Sequence, residues 1–192
     1  SELFTGNCLM GISVLEKSVS LGGMVKNLVI VYFGNFVGAL LVAAGCAFFG
    51  QYNLSDGALA VYVIKTAAGK CAMPFQNALV MGILCNILVC AGVMLSLCAK
   101  DLTGRVVGAF VPVCVFVICG FEHCIANMYY IPAGLFAASI PQYAALAAQR
   151  GVVLAALTWG NFLWANLLPV TIGNILGGVG FGWLIWRCHK AR

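Results

Sequence analysis

The stretch from Arg105 to Ala138, RVVGAFVPVCVFVICGFEHCIANMYYIPAGLFAA, sets how the rest of the chain is read. About 20 apolar residues suffice to cross the hydrocarbon of a bilayer, so this run is too long for one straight crossing. Near its middle it carries Gly120, Glu122, His123 and Asn127. The stretch therefore predicts a membrane helix broken at its midpoint. Breaking a helix there releases backbone N–H and C=O groups that lipid cannot satisfy, so the break must be enclosed by protein or line a water-filled cavity.

The remaining composition agrees with a membrane setting. Hydrophobic residues make up 63% of the 192, charged residues 8%, and the mean hydropathy is +1.04. A soluble domain carries roughly 25% charged residues. The formal charge of +5 is small and sits at segment ends, which excludes a nucleic-acid surface. Ten cysteines lie mostly within apolar runs (Cys46, Cys85, Cys90, Cys114, Cys119) and form no CxxC pair, so they read as small apolar residues kept reduced rather than as a disulfide framework. No signal peptide is apparent, and no metal or cofactor is expected.

Outward from the broken run, one apolar segment ends near Leu15, a second spans about Asn27 to Phe49, a third about Pro74 to Ala99, and the last about Thr158 to Trp186. A basic tail from Arg187 to Arg192 follows. Lys17, Lys26, Lys100, Arg105, Arg187, Lys190 and Arg192 fall on one side by alternation, and Lys65, Lys70 and Arg150 on the other. The richer side is read as cytoplasmic, with the C-terminus inside and the loop of Lys65 and Lys70 outside.

Two patterns recur in the same order. Glu2 to Asn7 and Glu122 to Asn127 both read E-x4-N, and Gly34-Asn35 with Gly38 matches Gly173-Asn174 with Gly177. A duplication is the simplest account, with a first repeat at 1–50 and a second at 74–187 in a single transmembrane domain, 1–192. Three crossings in the second unit invert its topology relative to the first. The expected fold is an all-α, six-helix inverted repeat with two broken helices. On this reading the N-terminal helix and half of helix two, on the order of 50 residues or more, precede Ser1.

Ionisable residues within spans mark function by default. Glu122 and Glu2 are expected to accept hydrogen bonds from N–H groups freed at the breaks. His123 is the only histidine inside an apolar run, and imidazole gains and loses a proton near neutral pH. Asn127 and Asn7 offer amides to tie the breaks together, and Thr5 offers a hydroxyl across the pseudo-symmetry axis from His123. Half-helix N-termini add positive potential, so the site favours an anion. Lys70 either draws anions to the outer mouth or anchors its helix at the headgroups. Leu3, Phe4, Val89 and Phe116, near the breaks, read on pattern alone as core.

Val31-Tyr32-Phe33-Gly34-Asn35 followed by Val37-Gly38-Ala39-Leu40, together with Gly120-Phe121-Glu122-His123 and Ile125-Ala126-Asn127-Met128, closely resembles the signature segments of the formate/nitrite transporter family. The similarity runs through essentially the whole chain. It implies a homopentamer of aquaporin-like protomers in the bacterial inner membrane, each with its own pore for small monovalent anions of weak acids. It implies that Thr5, Lys70 and His123 form the central polar site, that Leu3, Phe4, Val89 and Phe116 form apolar constrictions, and that Asn86 is the family's helix-four asparagine. The cysteine content and the segment Glu2 to Asn7 are most similar to the hydrosulfide channel branch of anaerobic bacteria, with formate or nitrite also permeant. The resemblance implies a channel rather than an enzyme. An aquaporin would carry Asn-Pro-Ala at its breaks, which this chain lacks. A haem protein would need a second intramembrane histidine, whereas His189 lies in the basic tail.

Overall fold

Three of the helices begin at capping side chains that the apolar runs alone do not reveal. The computed structural model of the chain describes residues 2–191; Ser1, and Arg192 of the charge count, lie outside the described residues. The described residues are helical, with no strand among them. In order they form α1 (Phe4–Asn7), α2 (Met10–Leu15), α3 (Leu21–Phe48), a 3₁₀ turn at Gln51–Asn53, and α4 (Ala58–Cys71). There follow α5 (Phe75–Cys98), α6 (Leu102–Ile118), α7 (Cys124–Ala138), α8 (Pro141–Gln149), a π-helical stretch at Asn161–Leu167, and α9 (Leu168–Lys190).

Among the described residues three helices are long and apolar enough to cross a membrane, Leu21–Phe48 with 28 residues, Phe75–Cys98 with 24 and Asn161–Lys190 with 30, and the bent pair Cys124–Ala138 with Pro141–Gln149 makes a fourth if it counts as one span. α3 starts earlier than the apolar run near Asn27 because Ser20 caps it, its hydroxyl accepting from Gly23 N at 3.0 Å. α6 likewise starts at Leu102 rather than Arg105, because Asp101 accepts from Gly104 N at 2.7 Å. The last crossing starts on Thr158, whose hydroxyl accepts from Asn161 N at 3.1 Å, and it continues through the basic tail to Lys190.

The broken run is two helices. α6 ends in a left-handed Gly120 (φ 68°), with Phe121 N donating to Phe116 O at 3.0 Å, the reversal that glycine allows at a helix C-terminus. Residues 121–123 are non-helical, and α7 restarts at Cys124.

The loop expected around Lys65 and Lys70 is instead the helix α4. Ala60, Ile64, Ala67, Ala68 and Cys71 line its buried side at spacings of three and four, a helical stripe masked in sequence by its small residues. α8, also unanticipated, meets α7 at 97°.

The chain divides into two compact units: Ser1–Phe33 with Leu79–Cys124 and Val170–Arg192, and Gly34–Ala78 with Ile125–Pro169. In the first unit, α5 and α9 pack backbone to backbone. A Cβ on Gly173 would strike Leu79 O, one on Gly177 would strike Ile83 O, and one on Gly82 would lie 2.9 Å from Val170 O. Such glycines let helices approach where lipid supplies no hydrophobic drive for association. In the second unit Gly134 of α7 meets Ala67 of α4 in the same way. Phe36, Phe162, Trp159, Phe136 and Phe48 of that unit form a chain of ring contacts.

Candidate functional site

Two stretches of non-helical backbone, each leading into a helix, meet in the first unit. At the first, Leu3 is extended (φ −118°, ψ 122°) and α1 begins with Phe4. At the second, residues 121–123 lead into α7. Thr5 and His123 face each other across 118 residues of sequence: Thr5 Oγ1 and His123 Nε2 share a hydrogen bond at 3.0 Å, with Thr5 fully buried and His123 6% exposed. The Phe116 ring stacks on the imidazole at 5.5 Å between centroids, inclined by 16°. Phe116 also joins Val89 and Cys85 in a buried apolar cluster. Burial under the ring places the imidazole in a low-dielectric setting, where a charge or dipole acts more strongly than in water.

Two amides hold these breaks in place. Asn86 of α5 donates to Thr5 O at 3.1 Å and to Asn174 O at 2.6 Å. Asn174 of α9 accepts from Cys124 N at 2.8 Å and donates to Gly82 O at 2.7 Å and Glu122 O at 3.0 Å. One fully buried side chain thus satisfies the first N–H of α7 and a carbonyl of the extended segment before it. Glu122 N adds a bond to Met81 O at 3.4 Å. Glu122 is buried at 2% exposure, whereas Glu2 is exposed. The Glu2 carboxylate accepts from the side-chain amides of Asn7 at 2.8 Å and Asn27 at 3.0 Å.

The apolar residues also gather in this unit. Leu3 and Val89 line one cavity of about 260 Å³ with Val93, Ala109 and Val113. Phe4 is buried, its ring edge-on to Tyr32 at 4.9 Å, and the Tyr32 hydroxyl lies 2.9 Å from Thr171 Oγ1.

Lys70 belongs to the second unit. It closes α4 half-buried, with Nζ 5.8 Å from the centre of the Tyr130 ring. Its carbonyl accepts from Asn166 Nδ2 at 3.1 Å, and Asn166 Oδ1 accepts from Asn127 Nδ2 at 2.7 Å. Asn7 makes the corresponding bond to Asn27 Oδ1 at 2.8 Å. Each of the two amides expected to tie the breaks together therefore bonds an asparagine in its own unit. Asn174, Asn166 and Asn27 were not singled out as site residues. The signal was present, because a buried asparagine in an apolar helix must find partners, and Asn174 sits in the recurring Gly-Asn motif.

Among the described residues no group of three or more His, Cys, Asp and Glu side chains is placed to hold a metal ion. The ten cysteines are free thiols.

The model of the formate/nitrite transporter family, described as "Formate/nitrite transporter", matches residues 1–187. The chain belongs to that family. It is a multi-pass membrane protein, and the family is one of channels and transporters. The formate channel FocA of Haemophilus influenzae is 38% identical over 180 residues, covering 93% of this chain and 63% of the relative. The probable formate transporter of Methanothermobacter thermautotrophicus is 37% identical over 195 residues, covering 94% and 65%. This chain thus spans somewhat under two thirds of these relatives' length. Among solved structures, a pentameric formate channel with formate bound superposes with a TM-score of 0.87 at 32% identity, covering all of this chain and 76% of that one. An FNT family ion channel gives 0.78 at 29%, covering 98% and 69%. The all-helical fold with broken helices is the fold of these channels.

Proposed function

We propose that this family member forms part of a channel for small monovalent anions of weak acids, with formate as the first candidate. The observation that carries the reading is the buried Thr5–His123 hydrogen bond between the two broken stretches, roofed by Phe116. A bare anion in an apolar slit is prohibitively costly. A neutral imidazole accepts the Thr5 hydroxyl proton at Nε2. A protonated one donates to Thr5 Oγ1 and turns the hydroxyl hydrogen toward a passing anion. The N-terminus of α7, starting one residue after His123, adds positive potential. Proton sharing with His123 neutralises the weak acid for passage through apolar constrictions at Leu3, Phe4, Val89 and Phe116. Lys70 raises the anion's concentration at the entrance.

Formate is supported by the names of the relatives and by the ligand in the pentameric neighbour. Hydrosulfide is supported by the cysteine content and by the Glu2 to Asn7 segment, with nitrite a third member of the same chemical class. A homopentamer, a cytoplasmic C-terminus and an inner-membrane location complete the proposal. The duplication is supported by the matching Asn7–Asn27 and Asn127–Asn166 bonds, each acceptor standing eight positions before the Asn of a Gly-Asn motif.

The deciding experiment is flux of formate, nitrite, hydrosulfide and chloride into proteoliposomes as a function of pH. Weak-acid anions should cross and chloride should not. His123→Gln should flatten the pH dependence of flux between about pH 5 and 8. A variant with the parental pH profile sinks the proton-sharing mechanism, and equal chloride flux sinks the selectivity.

A further inference from the structure

The second unit has a basic pocket that the transport reading leaves unused. α8 ends on Arg150, and the left-handed Gly151 (φ 72°) reverses the chain, with Val152 N donating back to Ala147 O at 3.0 Å. This turn sets Arg150, Val152 and Val153 against the exposed Lys65 and Gly69 of α4 and Ala72 just beyond its end, around a cavity of about 390 Å³. Gly69 supplies the room, since a Cβ there would meet nothing within 4 Å.

Two features select the occupant. The first is charge. Lys65 and Arg150 make no side-chain hydrogen bond or ion pair among the described residues, and none of the chain's acids lines the pocket. Asp56, the acid of this unit, lines a different cavity with Asn53 and Gln149. The second feature is that the remaining wall is apolar, with Val153 74% exposed. Lys65 lies on α4, between the long helices α3 and α5, and Arg150 follows α8, ahead of the long helix that starts at Asn161; Tyr62 (66% exposed) and Trp159 (44% exposed) sit nearby in sequence. Aromatic residues of this kind mark the headgroup level of a bilayer.

We infer that this pocket binds the phosphodiester headgroup of an anionic phospholipid, with Lys65 and Arg150 on the phosphate and the lipid's first methylenes on Val152 and Val153. A free inorganic anion would use the two cations but would leave the apolar wall uncovered.

The test uses purified protein in neutral detergent, titrated with phosphatidylglycerol or phosphatidylcholine, with bound lipid counted by native mass spectrometry. The parent should retain phosphatidylglycerol preferentially. Each of Lys65→Gln and Arg150→Gln should weaken that retention about fivefold, the effect of one cation near a lipid surface. Gly69→Leu keeps both charges but fills the cavity, and should weaken it as well. Lys65→Arg should restore retention, and an unchanged Tm in each variant separates lost binding from lost folding. Parental selectivity in the double Gln variant, or in Gly69→Leu, overturns the inference. Displacement of phosphatidylglycerol by excess inorganic phosphate also overturns it, by showing a free-phosphate site.

Discussion

The motif Gly-Asn-x2-Gly occurs twice, on α3 and on α9, and its glycines meet opposite surroundings. On α9, Gly173 and Gly177 are buried with no space for a Cβ, pressed against the carbonyl oxygens of Leu79 and Ile83. On α3, Gly34 and Gly38 are exposed, and a Cβ on either would meet nothing within 4 Å. One sequence pattern thus supports two packing states, because a glycine only permits close approach and something else must supply the approaching helix. On α9 that partner is α5, whose Gly82 meets the seam from the other side.

The largest expected effect follows from this contrast. Gly177→Leu forces a branched side chain into the Ile83 backbone, which cannot swing away as a side chain would. Overpacking typically costs roughly 1–3 kcal/mol and more where backbone must shift, so size-exclusion chromatography should recover little or no folded protein. Normal yield and Tm would mean that the α5–α9 seam is looser than drawn. Next comes Asn174→Ala, which strips partners from Cys124 N, Gly82 O and Glu122 O at once. At about 1–3 kcal/mol for each buried group left unpaired, it should lower the Tm in detergent clearly. Asn174→Asp keeps the acceptor for Cys124 N and should fall between the alanine variant and the parent. An alanine variant as stable as the parent would show that water replaces the amide.

The two Asn–Asn bonds sharpen the comparison at smaller scale. Asn166 is fully buried and also holds Lys70 O, whereas Asn27 is partly exposed beside the exposed Glu2. Asn166→Ala should therefore cost about 1–3 kcal/mol and Asn27→Ala nearer 0.5–1.5, read as a difference in chemical denaturation midpoints. Equal losses would show that the two bonds are equally shielded. The smallest effect is expected from Gly38→Leu, which enters open space and should leave the Tm of this chain unchanged. A marked loss would reveal a partner surface on α3.

Much of the fold was legible before any coordinate. Long apolar runs and sparse charge decide membrane helices, and Gly120-Phe121-Glu122-His123 placed the break where Gly120 takes a left-handed φ. Of the site, the Thr5–His123 encounter was expected from the two E-x4-N segments, and the structure brings those side chains to 3.0 Å. The sequence points to a loop at Lys70, which lies in the last turn of α4, because the alanines and glycine of α4 carry a faint apolar stripe. Asn174 and Asn166 stand out in the sequence as asparagines in an apolar run, but which backbone groups they serve depends on helices far away in the chain.

The sequence by itself determined that this protein lives in a bilayer and that its polar backbone must break near His123. Those conclusions depend on burying or exposing groups against lipid, a cost each segment bears wherever its neighbours lie. Only the tertiary structure decided which amide serves which break and which glycine pair is closed. Asn174, for example, lies 50 positions from Cys124 and 92 from Gly82. Their meeting depends on the rotational register of one helix against another, which packing sets and no local pattern encodes.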